Sequence, residues 1–197
     1  MVYSRDPGVK EDVLSAVANA SQKIVLFCGT TGSGLTTTME CYARTKQGLD
    51  GHTEVHWFSS EPQEQNQVSS RKWLTYDTSD PLLVLAREFS IPSKTLIVID
   101  ALRDSCLLAD AARLSEFGFT VACSLHAAGL HRGILRASRI MEDNSSPWTG
   151  VFLRNLSTVI CTGVEESRAA PSFTRKSYGQ SAIRQACMDS GLSRYLA

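Results

Sequence analysis

A glycine-rich turn between an apolar run and a helix-compatible run constrains the fold of this chain more than any other feature. Residues 24–28, IVLFC, are typical of a buried strand, and the sequence GTTGSG of residues 29–34 follows them directly. Residues 35–38 then open a segment that favours a helix. This order is that of a phosphate-binding P-loop: the glycines let backbone N–H groups turn inward around phosphate oxygens, and the helix N-terminus adds partial positive charge.

The spacing of this turn assigns candidate nucleotide-binding residues. The pattern G-x-x-x-x-G-K-[ST] is met at both glycines and at the last hydroxyl, but leucine replaces the lysine that normally reaches the β- and γ-phosphates. Thr36 occupies the position of the hydroxyl that binds Mg²⁺. A glycine-rich turn without a ligand is the alternative interpretation. The candidate residues are Gly29, Thr30, Thr31, Gly32, Ser33, Gly34, Leu35, Thr36 and Thr37.

A second stretch points to the same chemistry. The aliphatic residues 96–99 are followed by Asp100, which predicts a buried parallel strand that ends in a carboxylate. In P-loop proteins an acid in this place holds Mg²⁺, so Thr36 and Asp100 are the candidate metal-binding residues. Ala101 stands where a glutamate often activates the attacking water. The alternative is an aspartate that only ends the strand and caps the next turn.

Length and charge limit the class of protein. The 197 residues allow one α/β domain, with or without a small appendage. The formal net charge is zero, which predicts no direct binding to nucleic acid. No apolar run approaches the roughly 18 residues that a membrane span needs. The six cysteines are scattered without a C-x-x-C pair, which favours reduced, buried thiols in a cytosolic protein.

Strand-like and helix-like segments alternate along the chain. This order predicts an α/β fold with a mainly parallel sheet and helices on both faces. The predicted loop 59–72 carries Glu61, and His126 follows the strand predicted at 119–124. Together with the glycine-rich turn and Asp100, they should meet at the carboxyl edge of the sheet, where such folds bind ligands. Strands are predicted at 24–28, 54–58, 96–100, 119–124 and 159–161, and helices at 9–20, 105–117, 130–141 and 180–188, with others beginning at 35 and 80.

Four sequence boxes, in this order, resemble those of the secretion ATPases of type II and type IV systems, including pilus retraction and conjugation-type motors. GTTGSGLTTT is similar to the family's GPTGSGKSTT, and FSSEPQE is similar to its acidic box. LIVIDALRD resembles the box that ends in Met-Arg-Asp, and CSLHAAGLHRGILRASRIM resembles the histidine box. Each box is weak alone, but the four in the same order and spacing are specific.

The resemblance implies a RecA-like P-loop NTPase domain over residues 1–165 and a short helical tail over 166–197. It implies ATP and Mg²⁺ as cofactors and a hexameric ring that works with secretion or pilus proteins at the cytoplasmic face of the inner membrane. By position, Glu61, Arg103 and His126 would be the catalytic residues. The chain departs from the family at Leu35, which replaces lysine, and at Ala101, which replaces glutamate. The family's N-terminal domain is expected to be absent.

Three hypotheses follow, and the residues leave all three open. In the first, the chain is a degenerate motor subunit, or pseudo-ATPase, with weak or no hydrolysis, which works beside an active paralogue. In the second, it is a non-enzymatic interaction protein that keeps the fold without nucleotide. In the third, it is an active ATPase whose missing cation comes from Lys23, Arg44 or a partner chain. Whether the chain is an enzyme stays undecided at this stage.

Overall fold

The described part of the chain contains one seven-stranded sheet, which helices flank. The structure is a computed structural model that describes residues 23–49, 53–59, 73–77, 82–86, 89, 91–142, 146–166 and 171–196. The strands are β1 (Ile24–Gly29), β2 (Glu54–Ser59), β3 (Trp73–Asp77), β4 (Thr95–Asp100), β5 (Thr120–His126), β6 (Leu156–Glu166) and β7 (Pro171–Gly179). Across the sheet they run β3-β2-β4-β5-β1-β6-β7, with six strands parallel and β7 antiparallel to β6.

Helices cover both faces of this sheet, so the predicted α/β architecture is confirmed. Helix α1 (Leu35–Leu49) packs on one face, within a smaller apolar cluster. The other described helices contribute to a larger cluster on the opposite face. The helices are α1 (Leu35–Leu49), α2 (Leu82–Leu85), α3 (Ser105–Glu116), α4 (Leu130–Glu142), α5 (Thr149–Asn155) and α6 (Gln180–Asp189), with 3-10 turns at Pro92–Lys94 and Ser193–Tyr195.

Strand β1 shows why a continuous apolar run is needed at the centre of the sheet. Its six residues are all buried. Side chains alternate between the faces of a strand, so Leu26 and Cys28 join the larger cluster while Val25 and Phe27 join the smaller one. The Asp104 carboxylate accepts a hydrogen bond from the Leu107 N–H at 2.9 Å and caps α3, as is common for aspartate at a helix start.

Two strands were not predicted. β3 follows the predicted loop 59–72, and β7 lies in a polar stretch that showed no strand pattern. Both are ladder partners of another strand, β2 and β6 respectively, and pairing of this kind depends on contacts that a local pattern does not contain. The division of the chain between residues 165 and 166 stays a prediction. Residues 60–72, like the helix predicted at 9–20, lie outside the described residues.

The cysteines do not all share one environment. Cys28, Cys123 and Cys187 are buried, as predicted, and Cys41 and Cys161 are partly exposed. Cys106 is exposed on α3, so burial is wrong for this residue. Across the described ranges, no helix has the length and apolar character required to cross a membrane.

Candidate functional site

Four neighbouring parallel strands bring the candidate residues to one edge. β2, β4, β5 and β1 are adjacent and point the same way, so their carboxyl ends meet. Gly29 at the end of β1 is in register with His126 at the end of β5. The Ala127 N–H donates to the Gly29 carbonyl at 3.1 Å and joins the two turns that follow. The predicted convergence of the glycine-rich turn, Asp100 and His126 at this edge is confirmed.

The glycine-rich loop has left-handed backbone at two of its glycines. Gly32 and Gly34 have φ of 78° and 74°, in the left-handed region that glycine adopts without a steric penalty. The Ser33 N–H donates to the Thr30 carbonyl at 3.1 Å, and the Thr38 N–H donates to the Gly34 carbonyl at 2.9 Å to begin α1. Thr30, Thr31 and Gly32 are exposed at the tip. The loop therefore presents backbone and hydroxyl groups to solvent at a helix N-terminus, as phosphate binding requires.

Thr162 of β6 anchors the base of this loop and was not predicted. Its hydroxyl lies 2.8 Å from that of Ser33, and both side chains are buried. A Cβ on Gly29 would lie 2.1 Å from the Thr162 Oγ1 and 2.3 Å from the Ser33 Oγ, so this position requires glycine. No local pattern in the sequence indicates Thr162, because its role depends on the register between β1 and β6.

The two candidate metal-binding residues contact each other. The Thr36 hydroxyl donates to the Asp100 Oδ2 at 3.4 Å, a long hydrogen bond, and Asp100 is 9% exposed. The Ser124 hydroxyl donates to the Asp100 Oδ1 at 2.7 Å and accepts the Ala101 N–H at 2.7 Å. Ser124, which was not predicted, therefore holds both the carboxylate and the turn after β4. Ala101 has φ of 63°, a strained conformation for a residue with a Cβ.

The oxygen ligands in this place fit Mg²⁺. Mg²⁺ prefers hard oxygen atoms and is commonly held by one or two carboxylates together with substrate phosphates. Glu40 lies one helical turn beyond Thr36; burial raises the pKa of its carboxyl, the positive charge of Arg44 lowers it, and the charge of Asp100 raises it. The negative charge of Asp100 therefore acts on the carboxyl of Glu40. The i, i+4 spacing from Thr36 is the sequence signal that could have identified it.

The side chain of Leu35 lies in the apolar core. It is 6% exposed and belongs to the smaller cluster together with Val25, Phe27 and Met39. Only its backbone can therefore contribute to the loop. Thr37, the next residue but one, is exposed.

The remaining candidates are placed differently. His126 is exposed, and its carbonyl accepts a hydrogen bond from the Arg136 Nη1 at 2.6 Å. Arg103 is exposed in the turn between β4 and α3. Glu61 lies outside the described residues.

Lys23 cannot replace the missing lysine. Its Nζ lies 3.2 Å from the Asn155 Oδ1 and 3.5 Å from the Glu116 Oε1, at the start of β1. The six residues of β1 separate it from the loop by roughly 20 Å at strand geometry. Lys23 as the donated cation is therefore wrong. Arg44 lies two turns beyond Thr36 along α1, about 12 Å at helical rise, and stays a prediction as the donated cation.

Known structures share this fold although sequences do not match. No family model and no curated protein sequence matches the chain. The ATPase DotB of Legionella pneumophila superposes with a TM-score of 0.70 at 17% identity, over 94% of this chain and 55% of DotB. The pilus retraction motor PilT with bound ADP gives 0.71 at 19% identity, over 93% and 56%.

The VirB11 ATPase from the Brucella suis type IV secretion system, in complex with sulphate, gives a TM-score of 0.64 at 14% identity, over 93% of this chain and 54% of VirB11. The chain thus spans about half the length of these structures. At such low identity the likeness concerns the fold, and at this level the predicted resemblance is confirmed. The chain has the RecA-like α/β fold of secretion and pilus motor ATPases.

Proposed function

We propose that the chain is a motor ATPase-like subunit that binds ATP and Mg²⁺ at the loop between β1 and α1. The observation that carries this proposal is the contact of the Thr36 hydroxyl with the Asp100 carboxylate at 3.4 Å, beside a loop with left-handed glycines. A strand–helix turn without a ligand does not require a hydroxyl beside a buried carboxylate from another strand. A nucleotide site requires both the hydroxyl and the carboxylate, because together they hold Mg²⁺.

Each group has a defined part in this proposal. The backbone N–H groups of Gly32 and residues 34–36 would donate hydrogen bonds to the phosphate oxygens, helped by the N-terminus of α1. Thr36 and Asp100 would hold Mg²⁺, and Ser124 keeps the carboxylate in place through its 2.7 Å hydrogen bond. Bound Mg²⁺ would supply positive charge against the phosphate oxygens. Ser33 and Thr162 hold the base of the loop.

Hydrolysis is weak or absent in this proposal. The buried Leu35 side chain brings no charge to the phosphates, and Ala101 carries no carboxylate to activate water. Loss of one contact that stabilises a transition-state charge costs about 2.7–4 kcal/mol, or 10²–10³ in rate. Residues that act as a unit are not additive, so two losses do not simply multiply. Catalytic roles for Arg103, His126 and Glu61 stay part of the proposal.

The cellular setting also belongs to the proposal. The DotB, VirB11 and PilT structures suggest a homo- or hetero-oligomeric motor, hexameric as in the family, of a secretion, pilus or conjugation system. We propose that the chain works there beside an active paralogue, in the cytoplasm at the inner membrane. Direct contact with nucleic acid is not expected, because the net charge is zero.

Calorimetric titration with a non-hydrolysable ATP analogue, with and without Mg²⁺, tests the proposal. Asp100→Asn keeps the size of the side chain and removes its charge, and Asp110→Asn is the matched control on α3, where Asp110 pairs with Arg113 at 3.2 Å. We expect Mg²⁺-dependent binding in the unmodified chain and in Asp110→Asn. We expect its loss in Asp100→Asn.

The other outcomes distinguish the competing hypotheses. No binding up to millimolar nucleotide, in a chain whose circular dichroism shows a folded protein, would favour the non-enzymatic interaction protein. Phosphate release from ATP by the unmodified chain that disappears in Asp100→Asn would favour an active enzyme. Hydrolysis restored by Leu35→Lys together with Ala101→Glu would show that the rest of the site is still organised for turnover.

A further inference from the structure

Two cysteines face each other on adjacent strands directly behind the glycine-rich loop. The parallel register of β1 and β6 places Cys28 opposite Cys161. Cys28 belongs to the larger apolar cluster, and Cys161 packs against the same cluster, so both side chains lie on one face of the sheet. Cys28 is fully buried, whereas Cys161 is partly exposed. Cys161 is therefore the more exposed residue of the pair, and Cys28 lies beside it on the neighbouring strand.

The two thiols have different protonation tendencies. A hydrogen bond from Cys28 lowers the pKa of the Cys161 thiol; burial opposes this shift, and the positive charge of Lys176 supports it. Lys176 is the register partner of Cys161 on β7 and is exposed. The same hydrogen bond, followed by burial, raises the pKa of Cys28. Cys161 is therefore the readier thiolate, which is the nucleophilic form, and Cys28 keeps its proton.

We propose that Cys161 and Cys28 form a redox-active dithiol, in which Cys161 is oxidised first and Cys28 then closes a disulfide. Adjacent strands lie about 4.7–4.9 Å apart. Disulfides span Cα separations of about 4.4–6.8 Å, so register partners are within bonding range. Both side chains lie on the same face of the sheet, so the two sulfur atoms project from neighbouring backbone positions in the same direction.

A hydroperoxide is the class of oxidant that this arrangement suits. The Cys161 thiolate attacks the terminal peroxide oxygen, the O–O bond breaks, and the departing oxygen takes a proton and leaves as an alcohol or water. Cys161 is then a sulfenic acid. The Cys28 sulfur attacks the Cys161 sulfur, and the sulfenic oxygen leaves as water with the Cys28 proton. In total, two thiols lose two electrons and the peroxide gains them.

The other cysteines serve as internal references. Cys106 is more exposed than Cys161 but has no cysteine opposite it in the described ladders, since it lies on α3. Cys41 packs beside the smaller cluster on the opposite face. Cys123 is fully buried on β5 and is in register with Leu26, not with Cys28. Reaction governed by exposure alone would select Cys106.

Oxidation of the Cys28–Cys161 pair does not depend on nucleotide binding. Cys28 immediately precedes Gly29, so a disulfide would form at the base of the candidate phosphate loop. Yet the reaction uses the chain's two thiols and a peroxide, and it needs no nucleotide. Failure of the nucleotide experiment and failure of the dithiol experiment are thus separate results.

Peptide mapping of the full chain tests the dithiol. The protein is treated with hydrogen peroxide, free thiols are blocked with N-ethylmaleimide, and the sample is digested with trypsin. Cleavage after Lys23, Arg44, Arg154 and Arg168 yields peptide 24–44, with Cys28 and Cys41, and peptide 155–168, with Cys161. We expect these peptides to be cross-linked, with fragment ions that place the bond at Cys28.

Single substitutions and reduction complete this experiment. The cross-link should be lost in Cys161→Ser and after dithiothreitol, and kept in Cys41→Ser and Cys106→Ser. A cross-link that runs through Cys41, or oxidation of Cys106 without a bond between Cys28 and Cys161, would overturn the proposal. So would oxidation of Cys161 to its acids with Cys28 still free for alkylation after denaturation. These contradicting outcomes are read from the peptide map of the unsubstituted protein, so a variant that fails to fold does not affect them.

Discussion

The two positions at which the chain departs from the motor pattern have been accommodated in different ways. Leu35 follows the glycine-rich loop and is 6% exposed in an apolar cluster. Ala101 follows β4, is partly exposed, and has φ of 63°. Its N–H is held by the Ser124 hydroxyl at 2.7 Å. The first replacement contributes to the core, whereas the second lies in a strained turn that a neighbouring side chain stabilises.

This difference shows that the two replacements are not equivalent losses of charge. A buried leucine stabilises the fold, so a lysine at position 35 would reduce stability before any nucleotide is bound. Ala101 contributes no comparable burial, and its backbone strain persists only because surrounding contacts determine the turn. At the loop, the side chain of Leu35 therefore stabilises the core. At the end of β4, the hydrogen bonds of Ser124 to Asp100 and Ala101 hold a polar turn.

The largest expected effect is that of Leu35→Lys. Removing the leucine from the core should lower the free energy of unfolding by about 2–3 kcal/mol, reduced somewhat if the lysine stem stays in contact with apolar neighbours. Urea unfolding measures the change, and the volume-conserving variant Leu35→Met should cost less than about 1.5 kcal/mol. If Leu35→Lys and the unmodified chain have equal free energies of unfolding, burial of Leu35 does not stabilise the core, and Leu35 would not differ from Ala101 in this respect.

A smaller effect is expected from Ser124→Ala. The Asp100 carboxylate and the Ala101 N–H each lose a 2.7 Å hydrogen bond, which should lower the free energy of unfolding by about 2 kcal/mol. Ser138→Ala is the matched control, because Ser138 is equally buried at 1% exposed and donates only to a helix carbonyl at 3.0 Å. If both variants lose the same stability, the turn after β4 does not depend on the Ser124 hydroxyl.

The smallest effect is expected from Ala101→Gly, and its sign is opposite. A left-handed conformation costs a residue with a Cβ about 1–2 kcal/mol, while glycine adds about 0.4–1 kcal/mol of entropy cost on folding. The net result should be a stabilisation of about 0.5–1 kcal/mol in thermal or urea unfolding. A destabilised Ala101→Gly would show that the turn is not strained, and the two departures would then be alike in contributing to stability.

Much of the edge where the site lies could be predicted from local sequence. A β-branched run before glycines, and four aliphatic residues before Asp100, indicate buried parallel strands without any knowledge of their neighbours. Because carboxyl ends of parallel strands meet, these two patterns also predicted that Thr36 and Asp100 approach each other, and their hydroxyl and carboxylate are in contact. β3 and β7 were missed, since each depends on a partner strand.

Local sequence patterns are sufficient to identify the glycine-rich loop, the carboxylate at the end of β4 and the replacement of lysine after the last glycine. The three-dimensional structure was needed to show that Leu35 packs in the core, that Ser124 holds Asp100, that Thr162 anchors the loop and that Cys28 is in register with Cys161. The physical reason is the same in each case. Glycine conformations and apolar runs act within a few residues, whereas these contacts join strands distant in the chain and depend on their register.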